Sequence, residues 1–507
     1  MPAHAHAPLT LRDLLAGGTD AAAAISAPGE TALGFAALRA QIEATIAALN
    51  SFGIGRGDRV AIVLPNGAQM ATAFIGVASG ATAAPLNPAY TSDEFAFYMQ
   101  DLSAKALLVE AGSTSPALAV AEKLGLKIII LHPQPGAGAY RLAGPQAEAA
   151  SAPDFAEAFD TALVLHTSGT TSRPKIVPLS QRNICISAGN IARALAFTSA
   201  DCGLNIMPLF HIHGLMAGLL APLSAGGRVF CTPGFNALRF FGWMQEAHPT
   251  WYTAVPTMHQ AIVARAHANA AIIAQHPLRF VRSSSSSMPP QVFAEVAKVF
   301  SAPVIESYGM TEASHQMASN PLQGEQKPGS VGLAAGPEIA IMGADGALLA
   351  QGETGEVVIR GANVTAGYEN NALANAEAFS HGWFRTGDQG ALDAGHYLTL
   401  TGRLKEIINR GGEKISPREI DEVLMDHPAV RQVVVFAMPH DKLGEDVAAA
   451  IVLRDGHVAD EKLLRDYCKQ RLAPFKVPRK ILFLAEIPLG ATGKLQRIGL
   501  AQKLGLG

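Results

Sequence analysis

Apolar positions along the first 130 residues fall into two alternating rhythms. Leu38, Ile42, Ile46 and Leu49 recur at helical spacing and predict a helix over 35–50. Val60-Ala61-Ile62-Val63-Leu64 is an unbroken apolar run of strand length, closed by Pro65-Asn66-Gly67. A helix over 70–80 and an apolar run at Ala83–Leu86 follow. The cycle then repeats, with strand Ala106–Val109, helix 115–124 and strand Lys127–Leu131. Strands that alternate with helices in this way predict an α/β domain with a largely parallel sheet. From Pro133 to Pro153 the chain turns to Gly, Ala, Pro and Gln and reads as a long surface connection.

The alternation resumes with strand Ala162–Leu165 and a helix over 180–195. Strand Thr250–Pro256, helix 258–275, strand Phe280-Val281, helix 291–300 and strand Val304–Ser307 come next. Residues 320–400 differ: short strands and turns at Gly355–Gly361, Thr386–Asp388 and Tyr397–Leu400 predict a β-rich subdomain. Ser416, with Pro417 after it and Glu419 three residues on, predicts a helix start with a capping box. Helix 417–426, strands 430–438 and 446–453 and helix 460–472 complete a small α+β domain. The expected organisation is a large domain over 1–402 and a small C-terminal one over 403–507.

At 507 residues the chain exceeds one hydrophobic core, which agrees with that division. A net charge of −3 offers no electrostatic case for nucleic acid or an acidic membrane surface. The four cysteines are widely spaced and form no metal-ligand pattern, so reduced, buried thiols are expected. The first residues lack a basic stretch followed by an apolar one, and no apolar run is long enough to span a membrane. The expectation is a soluble, cytoplasmic protein. Its oligomeric state is not written in the sequence.

The candidate chemistry lies where apolar runs end. Thr167-Ser168-Gly169-Thr170-Thr171-Ser172-Arg173-Pro174-Lys175 follows a predicted strand. Small hydroxyl and glycine residues cannot form a packed element, but their N–H and O–H groups can converge on an anion. Lys175 adds a mobile charge. The usual nucleotide loop is not matched, because Pro174 precedes the lysine and Ile176 follows it. His211-Ile212-His213 places two imidazoles on one side if the backbone is extended; no third metal ligand is near, so pocket lining is favoured over a metal pair. The serine run Ser283–Ser287 sits between a strand and a helix, where α/β proteins bind ligands. Tyr308-Gly309-Met310-Thr311-Glu312 ends another strand and offers a carboxylate to a ligand or cation.

Taken in order, Thr167–Lys175, Pro208–Gly214, Tyr308–Glu312, Trp383–Asp388 with Arg403, and Thr492–Lys494 resemble the adenylate-forming superfamily of acyl-CoA synthetases, adenylation domains and beetle luciferases. The likeness runs from about residue 30 to the end. It implies ATP, Mg²⁺ and coenzyme A as cofactors and two half-reactions. A carboxylate first attacks the α-phosphate of ATP, and a thiol then attacks the acyl-adenylate. The resemblance assigns Thr167, Ser168, Gly169, Thr170, Thr171 and Lys175 to the phosphates, and Glu312, with Thr167, to the metal. Ser284, Ser285, Tyr308 and Gly309 would flank the adenine, while Asp388 and Arg403 would meet the ribose. Thr311 and Glu312 join Lys494 as catalytic; Lys494 would bridge the attacking carboxylate and the α-phosphate. Lys405 would be the hinge of a domain alternation, and Gly411-Gly412 would line the thiol path.

Within the superfamily the chain most resembles the oxalate–CoA ligases, through His211-Ile212-His213, Thr311–His315 and Ile408–Pro417. An apolar or aromatic acid calls for an apolar pocket. His211, His213, Ser285, Ser286, His315 and Asn190 are instead donors suited to a second carboxylate. A ligase for another short, medium-chain or aromatic acid, and a standalone enzyme that loads a carrier protein, stay open at this point.

Overall fold

The computed structural model describes residues 8–167, 174–488 and 496–506. Contacts along the chain divide it into two compact units. One is built from residues up to 167, 175–339 and 359–379, and the second from 340–358 and from 380 onward. Residues 380–402 thus group with the chain that follows them.

The first unit contains two large sheets among the described residues. The seven-stranded sheet runs, edge to edge, Tyr140–Ala143, Lys127–Pro133, Ala106–Glu110, Arg59–Val63, Thr82–Pro85, Thr161–Thr167, Lys175–Ser180. Its inner pairs are parallel and its two edge pairs antiparallel. The apolar runs read from the sequence are these inner strands. They carry no polar alternation because both faces are covered; Val60, Ala61 and Ile62 are fully buried. The predicted helices over 35–50 and 70–80 form as Phe35–Ser51 and Ala68–Gly80, and they pack on one another.

Two strands of this sheet lie where none was expected. Tyr140–Ala143 sits inside the stretch read as a surface connection and pairs antiparallel with Lys127–Pro133. Tyr140 anchors it, with a buried hydroxyl 2.7 Å from Thr45 Oγ1. Lys175–Ser180 pairs antiparallel with Thr161–Thr167 before the helix Gln181–Ala194 begins. Pro178 is tolerated in it because it is an edge strand, where one N–H is dispensable.

The nine-stranded sheet has a parallel centre that includes Cys202–Asn205, Trp251–Ala254, Phe280–Ser283 and Val304–Met310. His315–Ser319 then turns back antiparallel on Val304–Met310. The single helix expected over 258–275 is broken into Pro256–Val263 and Ala270–Gln275, with a 3-10 turn His267–Asn269 between them. No side chain of Ala270–Gln275 is fully buried, and only the half-buried Ile272 and Ile273 pack against the core, so the alanine-rich stretch is weakly held to one axis.

In the second unit Trp383–Leu392 pairs antiparallel with Leu398–Arg403. A further small sheet runs Glu413–Ile415, Ile408–Arg410, Gly444–Leu453, Val430–His440, with Lys480–Phe483 parallel to Gly444–Leu453. The helices Pro417–Met425 and Glu461–Lys469 bury Ile420, Leu424, Leu464 and Cys468 in its core. Ser416 does precede the first helical residue, but its side chain makes no cap hydrogen bond. The hydroxyl donates to the Thr401 carbonyl instead, and Glu419 pairs with Lys476 at 2.7 Å. The four cysteines are buried free thiols. Among the described residues no helix is long and apolar enough to cross a membrane.

Candidate active site

The parallel strands of the nine-stranded sheet deliver their chemistry at their carboxyl ends, the usual ligand edge of such sheets. Two of them, with the antiparallel return strand, assemble a buried polar cluster. Thr253 lies next to the last residue of one strand, Arg282 precedes the serine run on the next, and His315 and Gln316 open the return strand; His213 reaches the same point from the helix Ile212–Leu215. Thr253, His213, Arg282, His315 and Gln316 are each at most 2% exposed.

His213 and His315 stack with ring centroids 4.9 Å apart. The Arg282 guanidinium lies across their edges: Nη1 is 3.2 Å from His213 Nε2, and Nη2 is 3.2 Å from both His315 Nε2 and Gln316 Oε1. Thr253 Oγ1 is 2.7 Å from His213 Nε2, and His213 Nδ1 is 3.0 Å from Ser285 Oγ. Ser285 has a left-handed backbone (φ 71°), and both Ser285 and Ser286 are exposed beyond the cluster. Burial, the His315 ring and the Arg282 charge hold the His213 pKa well below the usual imidazole value. Burial lowers the Arg282 pKa to about 9, which leaves it charged at neutral pH.

The two histidines of the His-Ile-His motif do not project together. His211 precedes the helix with extended backbone and packs its ring on Phe210 at 4.6 Å, whereas His213 is helical and buried. His213 Nε2 is taken by Thr253 and Arg282, which is incompatible with a metal there. Asn190 is buried on the helix Gln181–Ala194, and its amide oxygen accepts from Arg193. Arg282 was not singled out by the sequence reading.

The backbone that presents His315 is tightly constrained. Ser314 and His315 both have positive φ, 50° and 93°. Asn363 Nδ2 donates to Ala313 O at 2.9 Å, and Ser314 Oγ donates to Asn363 O at 2.9 Å. Ser187 adds a hydrogen bond to Ser314 O. Gly309 lies opposite, where a Cβ would stand 1.9 Å from the His315 carbonyl oxygen. That contact is to backbone inside a paired ladder, so it cannot be relieved by a rotamer. Gly309→Ala is therefore expected to destabilise the fold by about 1–3 kcal/mol, read as a lower denaturant midpoint. An unchanged midpoint would contradict this packing.

Glu312 is buried in the short turn Thr311–Ala313 that follows. Tyr368 Oη donates to its Oε1 at 2.8 Å, and Lys175 Nζ stands 4.3 Å above the Tyr368 ring. Burial and the Glu312 charge raise the Tyr368 pKa, so the phenol keeps its proton. Thr167 and Lys175 face each other at the end of the hairpin Thr161–Thr167 and Lys175–Ser180. The two ends of the predicted anion loop are thereby fixed beside Glu312's partner. Ser168, Gly169, Thr170 and Thr171 lie outside the described residues, as does Lys494. The strand leading to the loop is pinned by His166, whose Nε2 is 3.0 Å from Asp101 Oδ2. Tyr308 is buried in its strand, and Ser284 Oγ donates to Ser307 O at 2.9 Å.

In the second unit Asp388 and Arg403 are directly opposed across paired strands, with Arg403 Nε 3.2 Å from Asp388 Oδ1. Inside the strand Trp383–Leu392, the backbone just before Asp388 is held by Gly387 (φ 73°), whose N–H donates to Glu356 Oε1 at 3.0 Å. Gly411 and Gly412 form the two-residue turn between Ile408–Arg410 and Glu413–Ile415, both at positive φ (59° and 100°). Two such angles in succession suit glycine and the mirror-image hairpin turns. Lys405 is exposed in the 3-10 turn Leu404–Glu406.

Comparison with known proteins sets this geometry in context. Residues 14–369 match the family model described as AMP-binding enzyme, and residues 419–494 match the AMP-binding enzyme C-terminal domain. An oxalate–CoA ligase of Arabidopsis thaliana is 44% identical over 490 residues, covering 94% of this chain and 95% of that protein. One from Saccharomyces cerevisiae is 41% identical over 476 residues, covering 88% and 87%. Among solved structures, ATP-bound MatB from Rhodopseudomonas palustris superposes with a TM-score of 0.87 at 27% identity, covering 98% of each chain.

Proposed function

The chain belongs to the AMP-binding enzyme family, and from that premise we propose that it joins oxalate to coenzyme A at the expense of ATP, releasing AMP and pyrophosphate. An oxalate oxygen attacks the α-phosphorus as the bond to the β-phosphate oxygen breaks. The coenzyme A sulfur then attacks the acyl carbon, the thiol proton is lost and AMP departs.

The observation that carries the choice of acid is the stacked His213–His315 pair with Ser285, a donor cluster where a pocket for a hydrocarbon chain would be apolar. Oxalate has no spacer between its carboxylates. Its second carboxylate must be met within one bond of the reacting one, which favours a compact wall of hydrogen-bond donors. The identity to the two oxalate–CoA ligases supports the same reading.

The remaining roles follow the chemistry of each group. Thr167 and Lys175 hold the ends of the phosphate loop, whose Ser168–Thr171 segment would supply the hydroxyls and N–H groups. Tyr308, Gly309, Ser284 and Ser285 flank the base, and Asp388 with Arg403 takes the ribose. Glu312 suits a magnesium ion. It is a buried oxygen donor, and among the described residues no group of three or more His, Cys, Asp or Glu stands ready for a metal. Mg²⁺ commonly takes one or two carboxylates and completes its shell with phosphates and water. When bound, it would neutralise phosphate charge. Tyr368, still protonated, orients the Glu312 carboxylate by donating to one oxygen.

The test is pyrophosphate release across oxalate, malonate, succinate, acetate and hexanoate with free coenzyme A. Oxalate is expected to give the highest kcat/KM. A medium-chain acid that outruns it by a wide margin would reject the assignment.

A further inference from the structure

Arg282 is a fully buried guanidinium whose hydrogen bonds go to two imidazoles, an amide oxygen and a hydroxyl, and to no carboxylate. A charge in that position costs several kcal/mol unless something compensates it.

Arginine has five N–H donors and no acceptor. The two Nε2 atoms it touches must therefore be acceptors, each with its lone pair toward Arg282. The proton of each neutral imidazole is left on Nδ1. Thr253 reinforces this at His213, since its hydroxyl also reaches Nε2. His213 Nδ1–H then donates to Ser285 Oγ, which frees the exposed Ser285 hydroxyl proton to donate onward. His315 Nδ1 lies on the Gly309 side, 3.2 Å from where a Cβ on that glycine would stand.

We propose that Arg282 is a positioning residue for the acid: it locks His213 and His315 as Nδ1–H tautomers and places a fixed positive charge behind them, so that His213, through the Ser285 hydroxyl, and His315 offer neutral donors to a dianionic acid. A cation bonded at Nε2 polarises each ring and strengthens its Nδ1–H donor. The second carboxylate of the acid supplies the negative charge that Arg282 lacks among its own neighbours. A monocarboxylate cannot supply it. This inference rests on the small-diacid reading above and goes beyond it by naming the group that sets the histidines' protonation.

Two measurements test it. In wild-type protein labelled with ¹⁵N-histidine, the resonances of His213 and His315, assigned by His213→Gln and His315→Gln, should show Nδ1 protonated and Nε2 unprotonated at neutral pH. A proton on either Nε2 overturns the assignment. The second measurement is kinetic. Arg282→Met should raise the oxalate KM about tenfold or more, the scale of a lost charged hydrogen bond, with the ATP KM within about twofold of wild type. Arg282→Lys, which keeps the charge, should recover part of the loss. Equal movement of both KM values, or none, overturns the proposal. If the acid panel names another substrate, the function falls while the tautomers stand; if the tautomers fail, Arg282 falls whatever the acid.

Discussion

Lys494→Ala is expected to abolish pyrophosphate release from ATP and oxalate, by about a thousandfold or more, while largely sparing thioester formation from supplied oxalyl-adenylate and coenzyme A. Negative charge crowds the first step, because one anion attacks another and a third leaves. A single ammonium between the attacking oxygen and the α-phosphate lowers that barrier. It has no such task in the second step, where a thiol attacks an acyl carbon already activated by AMP. The lysine lies outside the described residues, but the chain on either side of its segment is anchored within the second unit. Ile487 is buried on one side. On the other, Arg497 donates to Val435 O at 2.7 Å and stands 3.2 Å from Glu406 Oε2, with Asp421 as a further partner. Stopped-flow release of pyrophosphate measures the first step, and thioester formation from added adenylate measures the second. Equal loss of both would remove Lys494 from the adenylation step.

What could be read from the sequence, and what could not, follows from how each residue is used. The inner parallel strands of the seven-stranded sheet were legible because burial on both faces writes them as apolar runs; Cys202–Asn205 and Arg228–Cys231, inner strands of the nine-stranded sheet, escaped because each is only four residues long and carries Gly and Asn or Arg. Edge strands escaped because nothing forces that pattern on them: Lys175–Ser180 contains a proline, and Tyr140–Ala143 is embedded in Gly, Ala and Pro. Ser416 shows the limit of a local motif, since a tertiary acceptor at Thr401 took the hydroxyl that a capping box would have used. At the candidate site His213, His315 and Ser285 could be named from residue type and position. Their common neighbour could not. Arg282 sits at a strand end before a serine run, where a charged residue ordinarily reads as an exposed terminus. Only the parallel register that sets Arg282 beside Thr253 shows that it points into the sheet's ligand edge. An arginine within a strand of a doubly covered parallel sheet is the signal that could have found it.

His315→Ala should raise the oxalate KM about 10- to 100-fold, the range of a lost hydrogen bond in a charged network, with the ATP KM little changed. Two effects add. The ring removed is the proposed donor nearest the turn, and its loss leaves Arg282 Nη2 with Gln316 alone. The backbone at this position has φ 93°, which glycine adopts more readily than alanine, so strain must be separated from chemistry. His315→Gly provides the control. If the backbone geometry alone mattered, glycine would restore the oxalate KM that alanine lost. The expected result is that both variants lose affinity for oxalate and that glycine differs from alanine only in thermal stability. Oxalate kinetics unchanged in both variants would make His315 a structural residue of the turn that Asn363 and Ser187 hold in place. The choice of acid would then have to rest on His213 and Ser285.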